Sequence, residues 1–388
     1  MRISNVNVLI SLGDLMILGE TGGVPLRECT ILESLEHPIP MCTISFDANE
    51  GFLKDYPITD GTQLGIQIFT EDRTIDEKYT FRVYNTELDI MGHYINYKLT
   101  CILDVYDLFL SGDKFAKKTT SAEIFKSVAN SLKIPFNIDA TFDKQLWVPS
   151  NWDLMHWLTN ISNYGYVDEL SCMLWGIEKN KTLLYKNLST IIKQNPKEGL
   201  LKLIPSNDNR TKDKKALTYN SAEPSFASGI ENLTYRGYGG YDTYFDFPSY
   251  SSKKFSANKV VASSNMININ KELSKGLNPT QHAINIGNFH EHYYTAYMQN
   301  LRQLSTYSTY MTVLMETWSP YLRLLNPVVL EYAVSGMLPS AAENQQVDSL
   351  SSVYVINKIT TTITAGTLSQ GLQLMGQGYN TTNSTETY

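Results

Sequence analysis

Four stretches within the first 110 residues, Met41 to Phe46, Gln63 to Phe69, Lys78 to Tyr84 and Tyr94 to Tyr106, alternate apolar with polar side chains and are rich in Val, Ile, Thr, Tyr and Phe. A period of two puts successive side chains on opposite faces of a strand, so each run buries one face and wets the other. Asp60-Gly61, Glu71-Asp72-Arg73 and Met91-Gly92 separate the runs, and Gly and Asp tolerate the backbone angles of tight reversals. The consequence is an antiparallel meander that must close or be covered, as a sandwich or barrel. The pattern returns towards the other end, from Tyr310 to Ser335 and from Val353 to Met375.

Between these ends the period changes. Thr120-Ser121-Ala122-Glu123 places a capping hydroxyl three residues before a carboxylate, and Ile124, Val128 and Leu132 follow at helical spacing, so a helix is expected from about Ser121 to Leu132. Ser150-Asn151-Trp152-Asp153 is a second start signal ahead of Leu154, Trp157, Leu158 and Ile161. That helix should stop by Asn163 or Gly165, where Gly can supply a left-handed cap. A short strand, Pro135 to Ile138, and two strands within Leu170 to Tyr185 joined near Lys179-Asn180-Lys181 complete a small α/β insert over residues 113–200. Residues 205–215 are polar and aperiodic and read as a solvated loop. Residues 217–236 look extended, an irregular polar region runs to about residue 290, and the tail, residues 378–388, is Asn/Thr/Ser-rich and expected to be flexible.

The 388 residues suffice for two to four domains of ordinary size. Charged residues are 18% of the chain, against about 25% in a typical soluble domain, so much surface is expected to be buried or paired. The net charge of −7 argues against a chain whose main task is to grip phosphate backbones. Cys29, Cys42, Cys101 and Cys172 lack a CxxC spacing and suit buried, reduced thiols and assembly inside a cell. No secretory leader is recognisable, and no uninterrupted apolar run approaches membrane-spanning length. The most apolar stretch, Leu324 to Met337, carries Asn326, Pro327, Glu331 and Tyr332 and suits a buried strand pair.

Chemistry-bearing motifs are sparse. No GxxxxGK[ST], GxSxG, HExxH or strand–GxGxxG–helix sequence is present, which weakens any enzyme reading. His290 and His292, with His282, could share one face of a strand as metal ligands; the competing reading is a surface or interface pair. The aromatic stretch Tyr235, Tyr238, Tyr241, Tyr244, Phe245, Phe247 and Tyr250 could stack on sugars or bases, or dock on another subunit. Trp147, Trp152 and Trp157 are simplest as core residues, and Asp168-Glu169 and Glu87 with Asp89 sit on apparent turns or edges. One internal similarity stands out despite a poor residue-level match. Phe81 to Leu103 and Val355 to Met375 are each strand, turn, strand, preceded respectively by Gln63 to Phe69 and by Tyr321 to Val334.

The run from Thr120 through Phe136, then Trp147-Val-Pro149-Ser150-Asn-Trp152-Asp-Leu-Met-His-Trp157-Leu, then Tyr164-Gly165-Tyr166, resembles the baseplate hub proteins of contractile phage tails and the N-terminal part of secretion-system spike proteins. Tyr56-Pro-Ile-Thr-Asp-Gly, Tyr79-Thr-Phe-Arg-Val-Tyr and Tyr354-Val-Ile-Asn-Lys-Ile resemble the barrel strands of the same family. The resemblance implies an α+β, mainly β fold: two similar antiparallel, tube-like β-barrels with inserted small α/β domains. The first barrel would be residues 1–112 and the second would be split, 201–240 and 306–377, with 113–200 and 241–305 as outward inserts. It further implies a non-enzymatic homotrimeric ring without a cofactor, joining a sixfold tail tube to a threefold central spike, with other baseplate proteins and the tape measure protein as neighbours. DNA would pass through the lumen without being held, and the chain would sit in the virion after assembly in the bacterial cytoplasm. Spike-fused relatives continue into an OB-fold and needle, so here the spike is expected to be a separate chain. Two competing functions remain open at this point, a carbohydrate-binding adhesin using residues 235–250 and a metal-dependent hydrolase using His290 and His292.

Overall fold

The computed structural model describes residues 6–18, 24–49, 51–91, 94–110, 117–149, 153–168, 170–194, 199–206, 216–226, 241–246, 251–256, 280–284, 290, 292–332 and 350–377. The first part of the chain supplies β1 (Val6–Leu12), β2 (Leu15–Leu18), β3 (Leu26–Ser34), β4 (Met41–Asn49), the single-turn helix α1 (Phe52–Asp55), β5 (Gln63–Thr70), β6 (Asp76–Met91) and β7 (Tyr94–Leu103). The insert follows with β8 (Lys117–Thr119), α2 (Ser121–Leu132), β9 (Phe136–Ile138), β10 (Gln145–Trp147), α3 (Leu154–Asn163), β11 (Met173–Ile177), β12 (Leu183–Asn187) and α4 (Leu188–Gln194). Then come β13 (Leu201–Pro205), β14 (Ala216–Phe226), β15 (Tyr241–Asp246), β16 (Ser251–Ser256), β17 (Thr280–Ile284), α5 (Tyr293–Ser305), β18 (Thr309–Met315), β19 (Pro327–Leu330), β20 (Ser352–Ile363) and β21 (Leu368–Gly376).

Thirteen strands form one hydrogen-bonded sheet in the order β19-β13-β14-β18-β21-β20-β3-β4-β7-β6-β5-β1-β2. An additional β19–β20 ladder returns the first of these strands to the sixth, so β13, β14, β18, β21, β20 and β19 close into a barrel. The remaining seven curl around a second core and end at β2. The two cores are distinct apolar clusters, one around Phe46, Phe81, Tyr97 and the insert, the other around Met311, Leu330, Ile359 and Leu374. Among the described strands the two are joined by the antiparallel ladder β20–β3, from Lys358 opposite Ser34 to Ile363 opposite Cys29.

The two halves repeat one five-strand unit. The order β3-β4-β7-β6-β5 recurs as β14-β18-β21-β20-β19, all antiparallel. Irregularities recur at matching places as well. The β3–β4 ladder shifts register between Leu26 and Glu28, and β14–β18 between Tyr219 and Ser221. Likewise β6–β7 shifts between Val83 and Asn85, and β20–β21 between Ile356 and Lys358. A bulge adds one unpaired residue and re-aims every side chain beyond it, so two shared bulges align the units residue by residue where side-chain identity does not. Leu26 thus corresponds to Tyr219, Cys29 to Ala222, Asn85 to Lys358 and Ile90 to Ile363.

Elsewhere the structure departs from the sequence-based expectations. Helix α3 is capped by the Asp153 carboxylate, which accepts from the backbone N–H of His156 at 2.8 Å, so the cap is Asp153 and not Ser150. Gly165 does not adopt a left-handed backbone; glycine is needed there because a Cβ would collide with the Tyr185 hydroxyl. Glu316 to Asn326 is an irregular loop, not the start of a strand, and Leu325 takes a left-handed backbone. Its apolar residues are apolar because Trp318, Leu322, Leu324 and Leu325 are buried, while Gln370 accepts from the Ser319 N–H. The stretch 241–305, expected to be irregular, contains the three-stranded sheet β16-β15-β17 and the thirteen-residue α5. The polar loop beyond Ser206 and the tail beyond Gln377 lie outside the described residues. Among the described residues no helix is long and apolar enough to cross a membrane. All four cysteines are buried and free, and burial pushes the thiols of Cys101 and Cys172 up to about 12.

Candidate functional site

The insert is organised on a buried carboxylate. Thr120 caps α2 as its spacing predicts, its hydroxyl accepting from the Glu123 N–H. The next N–H, that of Ser121, donates to Asp143 Oδ1 at 2.8 Å, where Asp143 is fully buried. Thr141 Oγ1 donates to the same oxygen at 2.9 Å, and the Tyr166 N–H donates to Oδ2 at 3.0 Å. A carboxylate at a helix N-terminus is favoured by the helix dipole, and these donors repay its loss of water. Asp143 therefore ties the start of α2 to the Tyr164-Gly165-Tyr166 motif. Phe125 stacks on Tyr185 at 3.9 Å beneath it.

That motif is also where the second excursion docks. Tyr164 stacks on Tyr293 of α5 at 4.3 Å, and Tyr166 stacks on His292 at 4.2 Å. Asn300, buried on α5, donates from Nδ2 to the carbonyls of Asn163 and Gly165, each at 3.0 Å, and accepts from the Met173 N–H at 3.2 Å. The last carbonyls of a helix lack intrahelical partners, so Asn300 closes the end of α3 from another segment. Trp147 is buried and donates through Nε1 to the Thr119 carbonyl; Trp157 is buried in the same core; Pro149 is half-buried. Ser150 and Trp152 lie outside the described residues.

The histidines do not share a strand. His292 occupies the N-cap position of α5, and the rings of His290 and His292 are 6.5 Å apart and tilted by 48°. His282 lies on β17, paired with Tyr244 on β15. No group of three or more His, Cys, Asp or Glu side chains suited to a metal ion occurs among the described residues. Of the aromatic stretch, Tyr241, Tyr244 and Phe245 fall on β15, whereas Tyr235, Tyr238 and Phe247 lie outside the described residues.

The turn between β11 and β12 locks the insert onto the joint between the two halves. Lys179 Nζ stands 3.2 Å from Glu33 Oε2 on β3, an ion pair without hydrogen-bond alignment, while the Lys179 N–H donates to Glu33 Oε1 at 3.0 Å. Arg323, from the loop after β18, lies 3.5 Å from Glu178. Burial pushes the Glu178 carboxyl above its ordinary value and the charge of Glu33 adds to this, while Arg323 and Lys179 pull it back. Asp104 accepts from Arg82 at 2.7 Å and from Lys181 at 3.3 Å. Its burial raises its carboxyl, but those two partners outweigh burial and hold it below the ordinary range. Neither Asp143, Glu33, Lys179 nor Asn300 carries a motif that would have singled it out from sequence. Each is recognisable only as a buried polar residue with partners far along the chain.

Among the described residues, exposed apolar side chains gather on the β6–β7 hairpin. The distal arm of the β6–β7 hairpin exposes Tyr84, Leu88, Ile90 and Tyr94, all on strands. Beside it a cleft of about 590 Å³ lies between the first seven strands and α3, lined by His37, Ile39, Tyr84, Phe109, Met155 and Trp175 among others. On β14 the side chains from Glu223 to Phe226 are exposed as well.

A scan against protein-family models finds no match, and a search of curated proteins finds none. Solved structures do match along the whole chain. A tail protein from Neisseria meningitidis MC58 is 11% identical with a TM-score of 0.53, the match covering 97% of this chain and 98% of that one. The 43 kDa tail protein of prophage MuSo2 from Shewanella oneidensis is 12% identical with a TM-score of 0.57, covering 96% and 100% respectively. At such identity the likeness is one of fold, and it extends through both halves and the inserts.

Proposed function

We propose that this chain is a structural protein of a phage-type tail, a baseplate hub whose copies form a homotrimeric ring between the tail tube and a central spike. The observation that carries the reading is the fold shared end to end with two tail proteins. The duplicated five-strand unit supports the ring: three chains with two units each present six similar units to a sixfold tube and keep threefold symmetry for a spike. In this division residues 1–112 form the first tube-like unit, 201–240 with 306–377 the second, 113–200 and 241–305 the outward inserts, and 378–388 a tail. The aromatic residues from Tyr235 to Phe247 serve subunit contact. Catalysis has no part in the proposal, and an acidic ring lets DNA pass without holding it. The mass in solution tests it, by light scattering over a dilution series. A species of about 132 kDa, three times the 43.9 kDa chain, is expected. A monomer that persists when the tube and spike proteins are added refutes the ring.

A further inference from the structure

Three of the four cysteines meet in one place. The β3–β4 ladder sets Cys29 opposite Ile44 and Ile31 opposite Cys42, so Cys29 and Cys42 are diagonal neighbours on facing strands. The β4–β7 ladder sets Cys42 directly opposite Cys101. All three belong to the first core and are 0% exposed. Cys29 Sγ and Cys42 Sγ stand 3.5 Å apart, in contact. Cys172 belongs to the other core, where its thiol donates to the Asn300 carbonyl at 3.8 Å. A buried thiol that serves only as a small apolar filler needs no second sulfur against it.

The contact lies beside the seam between the two halves. Cys29 faces Ile363 at the end of the β20–β3 ladder, and on its other edge β3 pairs with β4. A bond between Cys29 and Cys42 closes the hairpin of residues 30–41 and holds β3 from the side opposite β20.

We propose that Cys29 and Cys42 are an oxidisable pair, which hydrogen peroxide converts into an intramolecular disulfide that staples β3 to β4 beside the β20–β3 joint. One sulfur, as its thiolate, attacks a peroxide oxygen; the O–O bond breaks, hydroxide leaves and takes up the proton that thiol released, and the sulfur becomes a sulfenic acid. The second sulfur then attacks the sulfenic sulfur. The S–O bond breaks as the S–S bond forms, and hydroxide leaves as water with the second thiol's proton. Two thiols are oxidised and one peroxide is reduced to two waters. The sulfurs need to approach by about 1.5 Å to reach bonding distance.

The fold sets the rate. Burial raises the Cys42 thiol above its ordinary value and the neighbouring Cys29 adds to this, so in the closed core it is protonated and unreactive. Oxidation therefore waits for the β3–β4 hairpin to open, and the pair stays reduced where glutathione is abundant. The bond itself does not depend on the function proposed above. Its timing in a tail does: a chain assembled in the cytoplasm acquires the staple only after release from the cell.

The test treats the purified full chain with hydrogen peroxide for a time over which the amides of β3 and β4 exchange, then unfolds it in N-ethylmaleimide and maps its peptides by mass spectrometry. The expected result is a link between the peptides holding Cys29 and Cys42, an intact mass lower by two hydrogens, and alkylated Cys101 and Cys172. Dithiothreitol should then return four alkylatable thiols, which separates a disulfide from a sulfinic acid. In the oxidised chain the amides of β3 and β4 should exchange more slowly, by up to roughly a hundredfold. Cys101→Ser should link as the unmodified chain does, and Cys42→Ser should not. Four alkylated thiols after that exposure overturn the inference. A Cys42–Cys101 link, a link between two chains, or unchanged exchange at β3 and β4 overturns it as well.

Discussion

Replacing Asp143 by Ala removes the acceptor on which the insert is built. Two backbone donors, the N–H groups of Ser121 and Tyr166, lose their partner in a site closed to water, while the hydroxyls of Ser121 and Thr141 can turn towards each other. A buried donor left unsatisfied costs about 1–3 kcal/mol, so the pair costs roughly 2–6 kcal/mol. Asp143→Asn keeps the shape and one carbonyl oxygen, but its amide must face one of the two N–H groups, at a cost of about 1–3 kcal/mol. The insert is one part of a larger chain, so the appropriate assay is native-state hydrogen exchange resolved by peptide, not a global melt. At about 1.4 kcal/mol per tenfold, the amides of Ser121–Leu132 and of the segment after Tyr164 should exchange about thirtyfold faster or more in the Ala variant and less accelerated in the Asn variant. The strands β18 to β21 should be unaffected. Equal protection in Asp143→Ala and the unmodified protein would refute the reasoning, since it would mean that water or a neighbour replaces the carboxylate at no cost.

Asn300→Ala should release α5 from the end of α3, because one side chain serves two carbonyls and one N–H; limited proteolysis within Tyr293–Ser305 should accelerate at least several-fold while the β-sheet core stays resistant. The turn bearing Glu178 should titrate. A carboxyl raised in the folded state binds its proton more tightly there than when unfolded, so its contribution to stability falls as pH rises through the window above the ordinary Glu value. Asp104, held low, works oppositely: its contribution is present above the ordinary Asp value and is lost as pH falls through its lowered one. Hydrogen exchange of Met173–Asn187 against pH should show both limbs, and Glu178→Gln should remove the upper one alone.

The strands with clean alternation were legible because one face is wet and the other is not, as β4, β5 and the second half of β20 show with strictly or nearly alternating burial. Helix α2 was legible from its cap and its single apolar face. The loop Glu316–Asn326 misled because burial alone makes residues apolar, and Trp318 and Leu322 are buried by a loop as completely as by a strand. Helix α5 escaped for the converse reason. Its docking face buries Gln299, Asn300 and Gln303, so the 3.6-residue period is written in polar residues that a hydrophobic pattern does not register. The duplication showed only as two similar hairpins, because what the units share is the placement of bulges, and a bulge is a relation between two strands that neither one's residues spell out.

The β20–β3 joint does more than connect two halves of one polypeptide. It is held by a six-residue ladder and a contact between Thr30 and Thr362, and it fixes the angle by which one unit is turned relative to the next. In the ring proposed above, that angle would bear on how many chains close a circle, a property written inside each chain before any two have met. A substitution that altered the twist of β20 against β3 would then change the circumference of an assembly whose subunit contacts it never touches, opening the circle into a spiral or closing it early.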